Sequence, residues 1–268
     1  MFTVQLKPRS RNRAVQFRCL TRISLLVVAI VALSQRNLCG QGGPPMITDD
    51  PGTPGNGHWE NNIAISFEHR ANEWSIDAPA IDLNYGWGDH IQLTLQTSLV
   101  TLKRSDHGAV AGIGGTEAAV KWRFLDEERN GVDISMFPRI IFNIAQSSVR
   151  RGLSEDGTRF QIPFQVAKKF GPVGLDFEFG PLVSTVGRSE FLYGIVGGTE
   201  VSKKIMIMAE LQGTSRTNFT RDTLTLNFGW RHKLNEHAIW IASLGHELRA
   251  PDEEQLALVG YCGMQLVY

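Results

Sequence analysis

The chain has 268 residues, 27 Lys and Arg against 27 Asp and Glu, and 42% hydrophobic residues. A mean hydropathy of −0.13 excludes a polytopic helical membrane protein, because each spanning helix needs about 20 mostly apolar residues; zero net charge leaves no electrostatic footprint of a nucleic-acid partner. Three cysteines make no disulfide scaffold, and without a CxxC or Cys/His cluster no metal or cofactor is expected.

The charge balance is uneven along the chain. Residues 1–40 hold seven basic residues and no acid, so the rest carries 20 basic residues against 27 acidic ones. The basic start runs into the apolar stretch Ile23 to Leu33. Eleven residues rise only about 16 Å as a helix, roughly half the hydrocarbon core, which predicts a signal-peptide h-region rather than an anchor. Cleavage is expected after Ser34 or Gly40, with an uncleaved signal anchor and a lipid anchor on Cys39 as alternatives. Residues 41–57 then form a Pro/Gly-rich periplasmic lead that cannot become a regular strand before Trp59. Its Asp49-Asp50 pair suits a turn or helix cap better than a cation, which needs more oxygen ligands.

From residue 58 to 268 the texture is alternation with a two-residue period, the mark of strands with one apolar and one polar face. Twelve segments follow one another: near 59–68, 81–87, 91–99, 117–124, 132–143, 159–166, 175–179, 191–195, 205–212, 224–231, 238–244 and 255–268. The eighth is Gly-rich and the eleventh is apolar on both faces, so that one resists phasing. In the phased segments no Asp, Glu, Lys or Arg falls on the apolar face. Such a run implies an environment that punishes charge there, either a soluble core or lipid. The joins alternate between short (Gly88-Asp89, 126–131, Gly171-Pro172, 201–203, 233–236) and longer (near 102–115, 144–157, 182–189, 213–222, 246–254). A soluble sandwich has no reason to alternate so, whereas outer-membrane barrels pair short periplasmic turns with longer external loops. Spanning strands of about 9–11 residues also fit the length.

The predicted fold is therefore all-β: a closed antiparallel up-and-down transmembrane β-barrel of about 12 strands. Aromatic residues near strand ends, Trp59, Trp87, Trp122 and Trp230 among them, fit interfacial girdles, although aromatics favour strands anyway. The last segment resembles the C-terminal insertion signal of bacterial outer-membrane barrels, through Tyr261, Gly263, Leu266 and the terminal Tyr268. The stretches PPMITDDPGTPGNGHWENNIAI, APAIDLNYGWGDHIQL and GTEAAVKWRFLDEE, with FQVAKKFGPVGLDFEFG further on, resemble the bacterial outer-membrane proteins labelled meta-pathway phenol-degradation transporters. That resemblance implies an outer-membrane barrel that passes small hydrophobic or aromatic molecules, and it supplies no ligand residues.

On the barrel reading the polar face lines a lumen. It then holds Glu60, Glu68, Asp77, Asp82, Glu117, Asp133, Asp176, Glu178 and Glu210 against Lys121, Arg123, Arg139, Arg159 and Arg231, a mixed and slightly acidic set. Fixed charges of this kind set ion preference in pores, although cross-strand pairing that merely fills the barrel is the plainer role. Twelve strands imply a narrow channel, open to plugging by the lead or an infolded loop. No enzyme is expected: GxSxG, HExxH and P-loop patterns are absent, and none of the seven His has a Ser two places on. The expected partners are outer-membrane lipid, the barrel-assembly machinery and a small-molecule solute, with no nucleic acid. The alternatives are a secreted soluble β-sandwich that binds a ligand or partner, and a non-transporting structural barrel.

Overall fold

In the computed structural model, residues 42–217, 222–250 and 255–268 are described; the expected signal peptide lies outside them. Fifteen strands form one antiparallel sheet that closes on itself. They are β1 (Trp59–Arg70), β2 (Glu73–Trp87), β3 (Ile91–Arg104), β4 (Val110–Ile113), β5 (Thr116–Leu125), β6 (Asp133–Met136), β7 (Arg139–Phe142), β8 (Arg159–Gln161), β9 (Phe164–Phe170), β10 (Val173–Ser184), β11 (Glu190–Ser202), β12 (Ile205–Arg216), β13 (Leu224–Lys233), β14 (Ala238–Arg249) and β15 (Leu258–Val267). β4–β5, β6–β7 and β8–β9 are each one stave broken in the middle, which leaves twelve staves. The barrel is shut by β1 against β15, with Ile63 opposite Met264 and Glu60 opposite Val267.

The breaks have local causes. Pro138 and Pro163 lack the N–H that a ladder needs. The neighbouring amides adapt: Val120 N donates to Pro138 O at 3.1 Å and Phe137 N to Pro163 O at 2.9 Å. At the Gly114-Gly115 break, the Gly114 amide still reaches Ser98 O at 2.9 Å.

The wall is inverted relative to a water-soluble protein. Asn62, Ser135 and Gln165 are fully buried, and Lys121 is 2% exposed. Apolar residues face outward: Ile65 is 53% exposed, Phe228 57% and Trp87 64%. Outward-phase cations occur at Lys103 and Lys168, each within two residues of a strand end. The soluble sandwich is thereby excluded, because its apolar faces would meet each other. The eleventh segment, apolar on both faces, takes its phase in β14: Trp240, Leu244 and Leu248 face out, while Ile241, Ser243 and Glu247 face in.

One end of the barrel carries the short joins 88–90, 171–172, 203–204 and 234–237, together with Trp59 and Tyr268. Aromatic pairs gather there: Trp59 with Tyr85 at 4.9 Å, Trp122 with Phe124 at 5.5 Å and Trp230 with Trp240 at 5.5 Å between ring centroids. The opposite end carries the 143–158 loop, which contains helix α2 (Gln146–Arg150), after a four-residue α1 (Glu127–Asn130) at the first end. Two joins at this opposite end are shorter than the sequence suggests. β1 and β2 are joined by Ala71-Asn72 alone, and half of residues 102–115 is strand, so that β3 and β4 are joined by 105–109. The first was obscured by a bulge at Ala78-Pro79, where the outward phase passes from Trp74 and Ile76 to Ile81 and Leu83.

Candidate functional site: the occupied barrel interior

The Pro/Gly-rich lead is tethered at Trp59, the first residue of the wall. Trp59 N donates to Tyr268 O at 3.1 Å, and Tyr268 N returns a bond to Trp59 O at 3.0 Å. From there the chain runs along the 86–89 turn at the rim, and residues 42–52 turn into the barrel, where inward side chains from much of its circumference hold them. Glu210 on β12 accepts the amides of Thr48 at 2.5 Å and Ile47 at 3.2 Å, and Asn227 Nδ2 supports it at 3.1 Å. Glu178 on β10 accepts the Asp49 amide at 3.1 Å, Arg139 Nη2 at 2.7 Å and Gln165 Nε2 at 3.1 Å. Lys121 on β5 donates to Asp49 Oδ1 at 3.1 Å and Asp50 O at 2.6 Å. Arg231 on β13 donates to Gly42 O at 2.5 Å and Pro44 O at 3.0 Å, while Ser243 Oγ donates to Pro45 O at 2.8 Å. The buried ring of Phe137 lies beneath both cations, 4.7 Å from Lys121 Nζ and 4.2 Å from the Arg139 guanidinium carbon.

These bonds explain why a lead without regular structure sits in one place. Its backbone has no ladder, so its buried amides and carbonyls need side-chain partners, and charged partners make the stronger bonds. Apolar contact helps too, since Met46 packs on Val196 and Met208 inside the wall. Room is made by inward-facing glycines. A Cβ at Gly86 would overlap Gly55 O, one at Gly194 would overlap Thr48 Oγ1, and one at Gly229 would overlap the Met46 methyl. Burial alone would raise the Asp49 carboxyl, but the Lys121 and Arg139 charges hold it below the usual carboxylate range. Its help in seating the lead is thus complete above the ordinary carboxylate pKa and fades as pH falls through the lower, bound value. Asp50 moves the other way, pushed up by burial and by the neighbouring Asp49 against the pull of Lys121.

The remaining residues predicted to line a lumen fall into three groups. Glu68, Asp82, Glu117 and Arg159 border a cavity of about 560 Å³ on the loop side of the lead, which Asp77 and Tyr261 also border. Arg123 and Asp133 sit at the turn end. Arg123 Nε pairs with Asp126 at 3.0 Å, and Asp133 accepts the Glu127 amide at 2.8 Å. Glu60 lies in the field of Arg231 and Asp50, and Asp176 is 1% exposed. Of the terminal-strand residues, Gly263 abuts Ala64 of β1 so closely that a Cβ would clash, while Leu266 and Tyr268 face outward and Cys262 is exposed on the same side. Sequence reasoning missed Glu247, which accepts the Leu256 amide at 2.8 Å, and the buried Asn84, Gln92 and Thr94 cluster. The turn role expected of Asp49-Asp50 is present, with Asp50 Oδ1 accepting the Gly52 amide at 2.6 Å, and Asp49 in addition pairs with Lys121 and Arg139, which the sequence did not announce.

The seat is testable at Glu210. In Glu210→Gln the amide nitrogen would face one or more of three donors now satisfied by the carboxylate. A loss of about 1–3 kcal/mol in seating the lead is expected. Limited proteolysis of the folded barrel should then cut near residues 42–52 faster than in the wild type, with the wall still intact on a gel.

No family model matches the chain, and no curated protein matches it in sequence. Solved structures do match in fold. The COG4313 outer membrane channel from Pseudomonas putida F1 superposes with a TM-score of 0.65 at 12% identity, over 85% of this chain and 100% of that one. The NanC porin gives 0.55 at 7% identity, over 78% and 99%. The KdgM porin, solved in complex with disordered oligogalacturonate, gives 0.52 at 11% identity, over 76% and 98%. At these identities the likeness is one of fold.

Proposed function

We propose that the chain is an outer-membrane channel through which small solutes diffuse, narrowed by its own N-terminal lead. The observation that carries this reading is the inversion of the wall: a closed sheet, apolar outside and polar inside, with a chamber of about 560 Å³ beside the lead. A closed barrel is the form in which strands can cross hydrocarbon without an unpaired edge. Its aromatic rim and the uncharged outward face in mid-wall fit lipid contact. The fold likeness to outer-membrane channels supports the same reading. The resemblance to meta-pathway phenol-degradation transporters, carried by the stretches quoted above, suggests hydrophobic or aromatic solutes. Export would depend on the basic, apolar leader.

Purified protein in liposomes should give ionic current and solute-dependent swelling, and the folded band should shift on heating. Current indistinguishable from protein-free bilayers would overturn the channel reading. A second reading, a sealed structural barrel, is favoured by the density of bonds between lead and wall and predicts that outcome.

A further inference from the structure

The inward charges are segregated by height. Lys121, Arg139 and Arg231 all turn to the lead, where carboxylates and backbone carbonyls engage them. The chamber of about 560 Å³ beyond the lead is different. Six carboxylates border it, those of Glu68, Asp77, Asp82, Glu117, Glu155 and Asp156, and Arg159 is its one basic side chain among the described residues. Arg159 is already committed to Glu155 at 2.8 Å, and Glu68 pairs with Arg70 at 3.0 Å. Asp77, Asp82, Glu117 and Asp156 make no ion pair among the described residues. Asp82 accepts from the neutral amides of Asn62 at 2.9 Å and Asn84 at 3.0 Å, which orient its charge without cancelling it.

Two further atoms at this chamber lack partners. Glu117 Oε1 is buried and accepts no hydrogen bond, although Arg139 lies within its field. Ser154 Oγ, on the loop that roofs the chamber, is also buried without a partner. A buried carboxylate oxygen with no donor is costly unless a donor or cation comes from outside the chain. No three carboxylate or imidazole groups among the described residues stand close enough to chelate one metal ion. The carboxylates therefore act as a field and as hydrogen-bond acceptors, not as a ligand cage. A low-dielectric wall around charges of one sign focuses that field on the space between them.

We infer that this chamber is a cation-collecting vestibule, which admits small positively charged solutes, protonated amines above all, and turns anions away. The inference rests on the channel reading for its role in transport, but the binding of cations can be measured without it. In planar bilayers under a KCl gradient, the reversal potential should show K⁺ preferred over Cl⁻. Asp82→Asn combined with Glu117→Gln should lower that preference severalfold, and Asp156→Asn, on the loop and outside the wall, should lower it in the same direction. In parallel, spermidine titrated calorimetrically into the detergent-solubilised barrel at low salt should bind saturably, and several times more weakly to the double variant. A channel that passes K⁺ and Cl⁻ equally, or spermidine binding that the variants leave unchanged, overturns the vestibule while leaving the channel in place. Spermidine binding without any current would overturn the channel and leave the vestibule standing.

Discussion

Deleting residues 42–52 should raise single-channel conductance severalfold without loss of the heat-modifiable folded band. The segment fills the interior between β5, β7, β10, β12, β13 and β14, and none of the wall's ladder bonds passes through it. Its removal takes Asp49 and Asp50 away, so Lys121 loses its carboxylate partner while Arg139 keeps Glu178. Cation preference should therefore fall as conductance rises, the sign expected when two carboxylates are taken out of a pore. Bilayer recordings of the deleted and intact proteins, side by side, check both effects. Equal conductance would mean that the lead does not set the constriction.

The second large effect concerns the outside. Leu211 lies in mid-β12, 39% exposed, between Ile195 of β11 and Leu226 of β13. If that face meets acyl chains, Leu211→Lys should destabilise the barrel by about 2–4 kcal/mol. If it met water, so exposed a leucine could be replaced at a cost near zero. Urea unfolding of the protein in lipid vesicles, followed by the gel shift, separates the two. An unchanged midpoint would remove the basis for placing this face in a membrane.

The sequence made the wall legible because its signal is local and repeated. Period-two alternation phased Ile63, Ile65 and Phe67 or Leu175, Phe177 and Phe179 correctly, since a strand side chain alternates faces whatever its distant neighbours are. Where the period breaks, so did the reading. The Ala78-Pro79 bulge hid the first half of β2, Gly114-Gly115 hid β4, and the mixed β14 could be phased only by its pairing with β13 and β15. The seat of the lead was illegible for another reason. Asp49 meets Lys121 and Arg139, 72 and 90 residues away, and nothing in the local sequence announces such pairs. One usable trace was present: Gly86, Gly194 and Gly229 occupy inward positions where the pattern calls for a polar side chain, and each marks a place where another piece of chain comes close.

The bonds that hold the lead also order events in time. Glu178, Glu210 and Arg231 come from late in the chain, 129 to 189 residues beyond the atoms they hold, and Lys121 and Arg139 come from nearer its middle. A half-built, open sheet presents neither set in the right place. Long-range contacts of this kind form last. Entry of the lead is thus a completion step that a partly assembled cylinder cannot reach, and protection of residues 42–52 from protease reports, stave by stave, whether the circle has been joined.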